Sequence, residues 1–215
     1  SDVCSSDLAV GVSLGYGPSP ALVAQRVTTL SMDPYGEGKF PAPAGLDAAA
    51  AWTTAWKAMA ELDPDEAAPF CSARNGAAYA YRFSQLAGGL PAAATGYPQT
   101  ELGAQLLLAA RLLGQDNGVR VVHVPFHGDF DSHEGHLERH AALMTELDDA
   151  LAAFRADLAA RGIADRVLIA TTSEFGRRAP DNASNGLDHG AGSFALFAGP
   201  VAAGLFGAYP DLSRL

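Results

Sequence analysis

The sequence predicts an α/β fold with a layered, mostly parallel sheet. Two short apolar runs, VRVVHVPF (119–126) and RVLIATTS (166–173), lie on either side of a long segment with helical periodicity. A strand, a helix and a second strand in this order, with a crossover of this length, favour parallel pairing of the two strands. A third apolar run, SFALFAG (193–199), extends the predicted sheet, and all three strands are expected to be buried.

Composition and charge narrow the class of protein. The chain has 215 residues, of which 48% are hydrophobic and 18% are charged, as is typical of one folded domain. Its net charge of -10, without a run of Lys or Arg, argues against nucleic acid or an anionic membrane as a partner. No apolar run approaches the roughly 20 residues needed to cross a bilayer, so we expect no membrane span. A chain with this net negative charge is expected to bind cations as ligands.

The first residues are predicted not to belong to the native protein. Asp2 to Leu8 (DVCSSDL) matches the translation of a common short-read sequencing adapter. We therefore expect 1–8 to be an artefact, and 9–215 to be the C-terminal part of a single domain that is incomplete at its N-terminus. Cys4 would then be foreign and Cys71 alone, so no intrachain disulfide is expected.

The segment 9–97 is predicted to be a loop-rich and helical region ahead of the core. It is rich in Gly and Pro, with helix-forming stretches at 46–62 and 77–86. A third helix is predicted to begin at a Thr100 cap and to end at Gly114.

The predicted core, 98–215, contains a long amphipathic helix between the first two strands. Its apolar residues recur at spacings of three and four, and Gly162 closes the segment. The apolar positions are Leu137, Ala141, Met144, Leu147, Leu151, Phe154 and Leu158.

Three polar clusters adjoin the predicted strands. HGDFDSHEGH follows the first strand, SEFGRR follows the second, and LDHG precedes the third. Because ligands of parallel α/β sheets gather beyond the carboxyl ends of the strands, we expect the three loops to converge at one edge. Mixed carboxylate and imidazole ligands suit Zn, Mn or Fe better than Ca, which predicts a divalent metal site. The candidate ligands are Asp131, His133, His136, Glu174, Asp188 and His189.

Several of these residues have a structural alternative that the sequence leaves open. Asp131 could cap the following helix, and the Asp188-His189 pair could belong only to a turn. Glu174 could form a surface ion pair with Arg177 or Arg178. The two arginines are candidates to clamp an oxyanion, but solvated surface arginines are an equal alternative.

The remaining histidines favour structural roles. His123 lies within the first predicted strand and is expected to be a hydrogen-bonded core residue. His140 is expected on the helix surface, or behind the metal ligands.

The motifs carry a resemblance to a known family. "HGDFDSHEGHLERHAALMTELDDALAAF", "VLIATTSEFGRR" and "GLDHGAGSFALFAGPVAAGLFG" resemble the C-terminal motifs of a bacterial family of unknown function that is usually exported with a twin-arginine leader. That family is similar to the alkaline phosphatase and sulfatase superfamily. The resemblance implies a three-layer sandwich with a mostly parallel sheet, and a periplasmic or exported parent protein.

The same resemblance implies a ligand set and a reaction class. Asp131 with His133 or His136, Glu174 and His189 would bind metal, although the superfamily commonly has Asp-His where this chain has Glu174-Phe175. The nucleophile of the superfamily lies upstream of anything in this chain, so we expect these residues alone to be inactive. The implied function is metal-dependent hydrolysis of a phosphate or sulfate ester, a small anionic substrate. The alternatives are a non-catalytic exported protein that binds metal or a protein partner, and a purely structural protein without metal.

Overall fold

The computed structural model describes residues 11–15, 19, 22, 29–32, 54, 58, 90, 93–116 and 118–208. The chain divides into two compact units. Gln99–Pro125 belongs to the first unit together with the residues before Gly96. Gly96–Pro98 belongs to the second unit together with the residues from Phe126 onward. The mixed α/β class predicted from the sequence is confirmed, since a small parallel sheet and two long helices are present.

The first unit contains a three-stranded parallel sheet. Its strands are β1 (Gly11–Leu14), β2 (Thr29–Met32) and β3 (Val121–His123), in the order β2-β1-β3. Val12 of the central strand lies opposite Leu30 and Val122 in the two parallel ladders, and its side chain is fully buried. Within the run 119–126, Val121–His123 thus forms a parallel strand, as predicted, but its partner is β1. The strand is not fully buried as predicted, since Val121 is 47% exposed.

His123 is a hydrogen-bonded, half-buried residue of this sheet, as the sequence favoured. Its Nδ1 lies 3.3 Å from Ser13 Oγ, and its Nε2 lies 3.3 Å from Ser19 Oγ. Both ring nitrogens therefore have partners within the first unit.

Helix α1 (Glu101–Leu113) begins and ends where the sequence predicts. The Gly103 backbone N–H donates to Thr100 Oγ1 at 3.2 Å, and the Gly114 N–H donates to Ala110 O. This cap satisfies one of the amide groups that the first helical turn leaves without a partner. The predicted helices 46–62 and 77–86 lie outside the described residues, except for Thr54 and Ala58, which are helical.

The second unit has one long helix and short antiparallel ladders. The helix and strands are α2 (His136–Ala160), β4 (Ile169–Ala170), β5 (Gly176–Arg177), β6 (His189–Gly190) and β7 (Phe197–Ala198), with a 3-10 turn at Ala164–Arg166. Helix α2 matches the predicted helix, and Gly162 follows its end with a φ of 69°.

The predicted parallel pairing of 119–126 with 166–173 is wrong. Ile169–Ala170 instead pairs antiparallel with Phe197–Ala198. The crossover argument needs both strands to share one sheet, whereas β4, the strand after the helix, pairs here with β7, a strand further along the chain.

The predicted burial of the second and third strands is also wrong. Leu168 is 52% exposed, Phe194 is 67% exposed and Phe197 is 60% exposed. An apolar run shows that a strand can be buried, but burial itself requires a covering layer. Within the described residues β4 and β7 lack one on this face.

Helix α2 buries only its C-terminal half. Ala150, Phe154 and Leu158 are buried, whereas Leu137 in the first turn is 82% exposed. The apolar face that the sequence predicts for this helix therefore packs into the core only in the C-terminal half of the helix.

A polar contact anchors that same half of α2. Asp157 is buried, and its carboxylate accepts hydrogen bonds from the Tyr97 hydroxyl at 3.1 Å and from Arg161 Nε at 2.8 Å. The burial of a charge is tolerated here because the carboxylate is both paired and hydrogen-bonded.

Neither helix of the described segments combines the length and the hydrophobicity that crossing a bilayer requires.

Candidate metal centre

Asp131, His133 and His189 converge in the second unit. Asp131 Oδ1 lies 2.8 Å from His189 Nε2 and 3.1 Å from His133 Nε2. One ligand atom from each residue lies within 4.8 Å of the other two, so the group can hold a metal ion. All three side chains are about half exposed, which leaves room for water or a ligand beside them.

His133 lies in the turn ahead of α2, and this turn is held by the loop 182–188, which we call the clasp loop. Four hydrogen bonds join the two segments: Gly135 N–H to Ser184 O, His136 N–H to Asn185 O, Leu187 N–H to Ser132 O, and Asn182 Nδ2–H to His133 O. The first two bonds satisfy amides at the start of α2, whose N-cap residue, Gly135, offers no side chain for that purpose. The turn is therefore fixed by a segment about 50 residues further along the chain.

The clasp loop approaches the turn closely because residue 186 has no side chain. A Cβ atom on Gly186 would overlap the backbone carbonyl group of His133. Only glycine at this position lets the two backbones lie this close.

His189 is positioned by the ladder between β5 and β6. Its ladder partner is Arg177, and the Phe175 ring stacks on the His189 imidazole with centroids 4.0 Å apart. The glycines of this ladder, Gly176 and Gly190, bring the strands together where a Cβ would meet the opposite backbone.

Arg177 joins the two sides of the group. One Nη2–H donates to Phe130 O at 2.6 Å, another reaches Asp131 Oδ1 at 3.1 Å, and Nη1 donates to Leu187 O. Its guanidinium lies 4.8 Å from the centre of the Phe175 ring, and its side chain is 16% exposed. The donors of Arg177 therefore serve protein groups, whereas Arg178 is exposed.

The charges of the centre favour an ionised Asp131. The hydrogen bond from His189 lowers the pKa of Asp131 below its usual range, and the charges of His133 and Arg177 act in the same direction. An ionised carboxylate is the form that binds a cation.

Asp188 lies on the other side of the His133 ring from Asp131. Its Oδ1 accepts from His133 Nδ1 at 3.2 Å and from Asn182 Nδ2 at 3.1 Å. These hydrogen bonds, that from Asn182 first, lower the pKa of Asp188, and the charge of Arg178 contributes. Asp188 thus touches a candidate ligand but lies outside the group of three.

Two other predicted ligands also lie outside the group. His136 turns toward the buried Ser132, with 2.7 Å between Nδ1 and Oγ, and its ring stacks on His140. Burial lowers the pKa of His136, with the charge of His140 adding to the effect. Glu174 is exposed and contributes no atom to the group.

The structural alternatives are decided in part. Asp131 does not cap α2, because Gly135 is the N-cap residue. His189 and Gly190 form strand β6, so the Asp188-His189 pair does not belong only to a turn. Among the ion pairs of the described residues, none joins Glu174 to Arg177 or Arg178.

Sequence reasoning missed Asn182, Phe175 and Gly186. The pattern Asn-x-x-x-Gly ahead of Asp188 is typical of a turn, but nothing in it shows that the Asn182 side chain reaches from its own loop to His133. Phe175 follows an apolar strand and has no sequence signal for stacking on an imidazole.

Comparison with known proteins gave one match. Residues 77–214 match the model of a protein family described as a protein of unknown function (DUF1501). Neither the curated proteins nor the solved structures include a match to this chain.

Proposed function

The chain belongs to the DUF1501 family of proteins of unknown function, and we propose that it binds one divalent metal ion through Asp131, His133 and His189. The observation that carries the proposal is that one carboxylate oxygen and two imidazole nitrogens lie within 4.8 Å of one another.

The chemistry of these ligands fits Zn, Mn or Fe. Imidazole nitrogen with a single carboxylate suits borderline metals, whereas Ca prefers six or more oxygens. Three protein ligands with open positions are characteristic of catalytic sites, and structural sites are usually closed by a fourth. The half-exposed side chains of the group agree with an open site.

The reaction class that we propose for the whole protein is hydrolysis of a phosphate or sulfate ester. A metal held here would polarise the ester and stabilise its charged oxygens. Arg178, which is exposed and lies three residues after the Phe175 that stacks on His189, is the candidate to bind an oxyanion of the substrate. Arg177 would hold Asp131 in place. In the superfamily that the motifs resemble, the attacking hydroxyl or thiol lies near the amino terminus.

The support for this class is the resemblance of three ordered motifs to the alkaline phosphatase and sulfatase superfamily. The same resemblance supports two further proposals, which are a three-layer sandwich fold and twin-arginine export to the periplasm.

A second function, metal binding without catalysis, is favoured by one contact. Where the superfamily commonly has a metal-binding histidine, this chain has Phe175, whose ring packs against His189. A phenyl ring there supplies no ligand to a second ion.

Metal binding is tested by calorimetric titration of the metal-free chain with Zn²⁺. We expect one ion per chain. Asp131→Ala, His133→Ala and His189→Ala should each lower the affinity by more than about 100-fold, because the loss of a residue that only hydrogen-bonds a metal ligand already costs about 10–100-fold. The matched control is His127→Ala, because His127 is exposed and outside the group. If the three variants bind Zn²⁺ as tightly as the control does, the proposed site is wrong.

Catalysis is tested with p-nitrophenyl phosphate and p-nitrophenyl sulfate. The metal-loaded 215-residue chain should show no turnover, and a form extended upstream from the native locus should show turnover that a chelator abolishes. Bound metal without turnover in the extended form would instead support the non-catalytic function. Turnover by the 215 residues alone would contradict the upstream nucleophile.

A further inference from the structure

The two ring nitrogens of His133 face two different carboxylates. Nε2 lies 3.1 Å from Asp131 Oδ1, on the side of the candidate metal centre. Nδ1 lies 3.2 Å from Asp188 Oδ1, on the opposite side of the ring. Asp188 is thus separated from the proposed ion by the width of an imidazole.

We propose that Asp188 is a positioning residue that holds the proton of His133 on Nδ1 and so presents the Nε2 lone pair to the metal. This inference rests on the proposed metal function and assigns Asp188 a role other than that of a ligand. An imidazole binds metal through one nitrogen only, and the hydrogen bond made by the other nitrogen sets which one is free.

Asn182 fixes the orientation of Asp188. Its Nδ2 donates to Asp188 Oδ1 at 3.1 Å and to His133 O at 2.9 Å. Its Oδ1 accepts from the backbone N–H groups of Ser184 and Gly186, both at 2.9 Å. Both ends of the amide are engaged, so Asn182 ties the acceptor for His133 to the backbone of His133 itself.

The contacts of Asp188 separate a positioning role from a ligand role. The oxygen that faces His133 already lies within hydrogen-bond distance of both His133 Nδ1 and Asn182 Nδ2. A ligand oxygen would instead lie with Asp131 Oδ1 and the two Nε2 atoms, and Asp188 is not in that group.

The test compares Zn²⁺ affinity for the wild-type chain, Asp188→Ala, Asp188→Asn and Asp181→Asn. We expect Asp188→Ala to weaken Zn²⁺ binding about 10–100-fold, which is the usual cost of losing such an outer partner. Asp188→Asn keeps an oxygen that accepts from Nδ1, so its loss should be smaller. Asp181→Asn is the matched control, because it removes the same charge from the same stretch of chain without touching His133.

A spectroscopic measurement identifies the mechanism. Long-range ¹H–¹⁵N spectra of the Zn²⁺-loaded wild-type chain should show His133 protonated on Nδ1 and metal-bound through Nε2. In Asp188→Asn the Nδ1 proton should exchange faster with water, while the His189 signals stay in place. If Asp188→Ala does not fold, Asp188→Asn carries both measurements.

The outcomes distinguish this inference from the metal proposal. If the wild-type chain binds no Zn²⁺, both are overturned. If it binds Zn²⁺ and the Asp188 variants match Asp181→Asn in affinity and in Nδ1 exchange, only the positioning role is overturned. Metal bound to His133 through Nδ1, or a loss in Asp188→Asn equal to that in Asp131→Ala, would likewise overturn it.

Discussion

Arg177 shows how one side chain can organise a site without entering it. Its guanidinium donates to two backbone carbonyls and to Asp131, and it also lies against the Phe175 ring. The planar fork of arginine suits several acceptors at once, whereas an ammonium group is a point charge. The residue therefore links the Asp131 segment to the segment before His189.

Replacement of Arg177 by lysine should weaken both stability and metal binding. Arg177→Lys keeps the charge but loses the fork, and we expect a cost of about 1–3 kcal/mol in the free energy of unfolding. Thermal unfolding and Zn²⁺ titration measure the two effects. Arg178→Lys is the control, since that side chain is exposed. If Arg177→Lys and Arg178→Lys show the same stability and the same Zn²⁺ affinity, the hydrogen bonds of Arg177 do not contribute to either property.

At the scale of elements, the clasp loop decides where the candidate ligands lie. Its carbonyl groups accept hydrogen bonds from the first amides of α2. His189 follows the clasp loop directly and is held by the pairing of β5 with β6. The sequence predicted that the polar loops would converge, on the argument that parallel strands end at one edge. Convergence is confirmed for the segments around Asp131 and His189, but antiparallel pairing and backbone contacts produce it.

The close approach at residue 186 predicts a sensitive position. Gly186→Ala should force the clasp loop away from His133, because a Cβ would overlap the His133 backbone. Overpacking of this kind typically costs about 1–3 kcal/mol. Hydrogen exchange should accelerate at the Gly135, His136 and Leu187 amides, which bond across this contact.

The control for that substitution is Gly204→Ala. A Cβ there would meet only the Phe206 ring, at the ordinary distance of 3.5 Å. Unchanged exchange at the three amides in Gly186→Ala would mean that the clasp loop is not held by this contact.

At the scale of the whole molecule, the apolar residues of the C-terminal segments are largely exposed. Phe194, Leu196, Phe197, Leu205 and Phe206 are each exposed by 48% or more. Patches of this kind are uncommon on the surface of a soluble domain. The strands were predicted as buried because their composition suits a sheet covered on both faces.

The pH dependence of unfolding should report the contact between Tyr97 and Asp157. Burial, with the neighbouring Asp157 charge, raises the pKa of Tyr97 well above its usual value of about 10. The folded chain then holds this proton more tightly than the unfolded chain. The resulting stability is fully present below pH of about 10 and is lost as the pH rises further.

Tyr97→Phe tests this. At neutral pH the free energy of unfolding of the variant should be lower by about 1–3 kcal/mol, the usual contribution of a hydrogen bond to a charged group. Urea unfolding at pH 8 and at pH 10.5 or above should show that the difference in this free energy between wild type and variant becomes smaller at the higher pH. A difference that does not change with pH would show that Tyr97 does not keep its proton through this contact.

The local features of this chain follow from its sequence. The Thr100 cap, the stop at Gly114 and the glycine after α2 lie where predicted, because capping and helical periodicity depend on residues a few positions apart. The choice of carboxylate and imidazole as the candidate ligands also came from the sequence, since their chemistry is a property of the residues themselves.

The tertiary structure decided which of those candidates meet. Asp131 and His189 are 58 positions apart, and the clasp loop and a two-residue ladder bring them together. The same contacts placed Asp188 behind His133, left Glu174 outside the group, and paired β4 with β7. Distances between remote residues depend on backbone pairing and close packing, which no local pattern encodes.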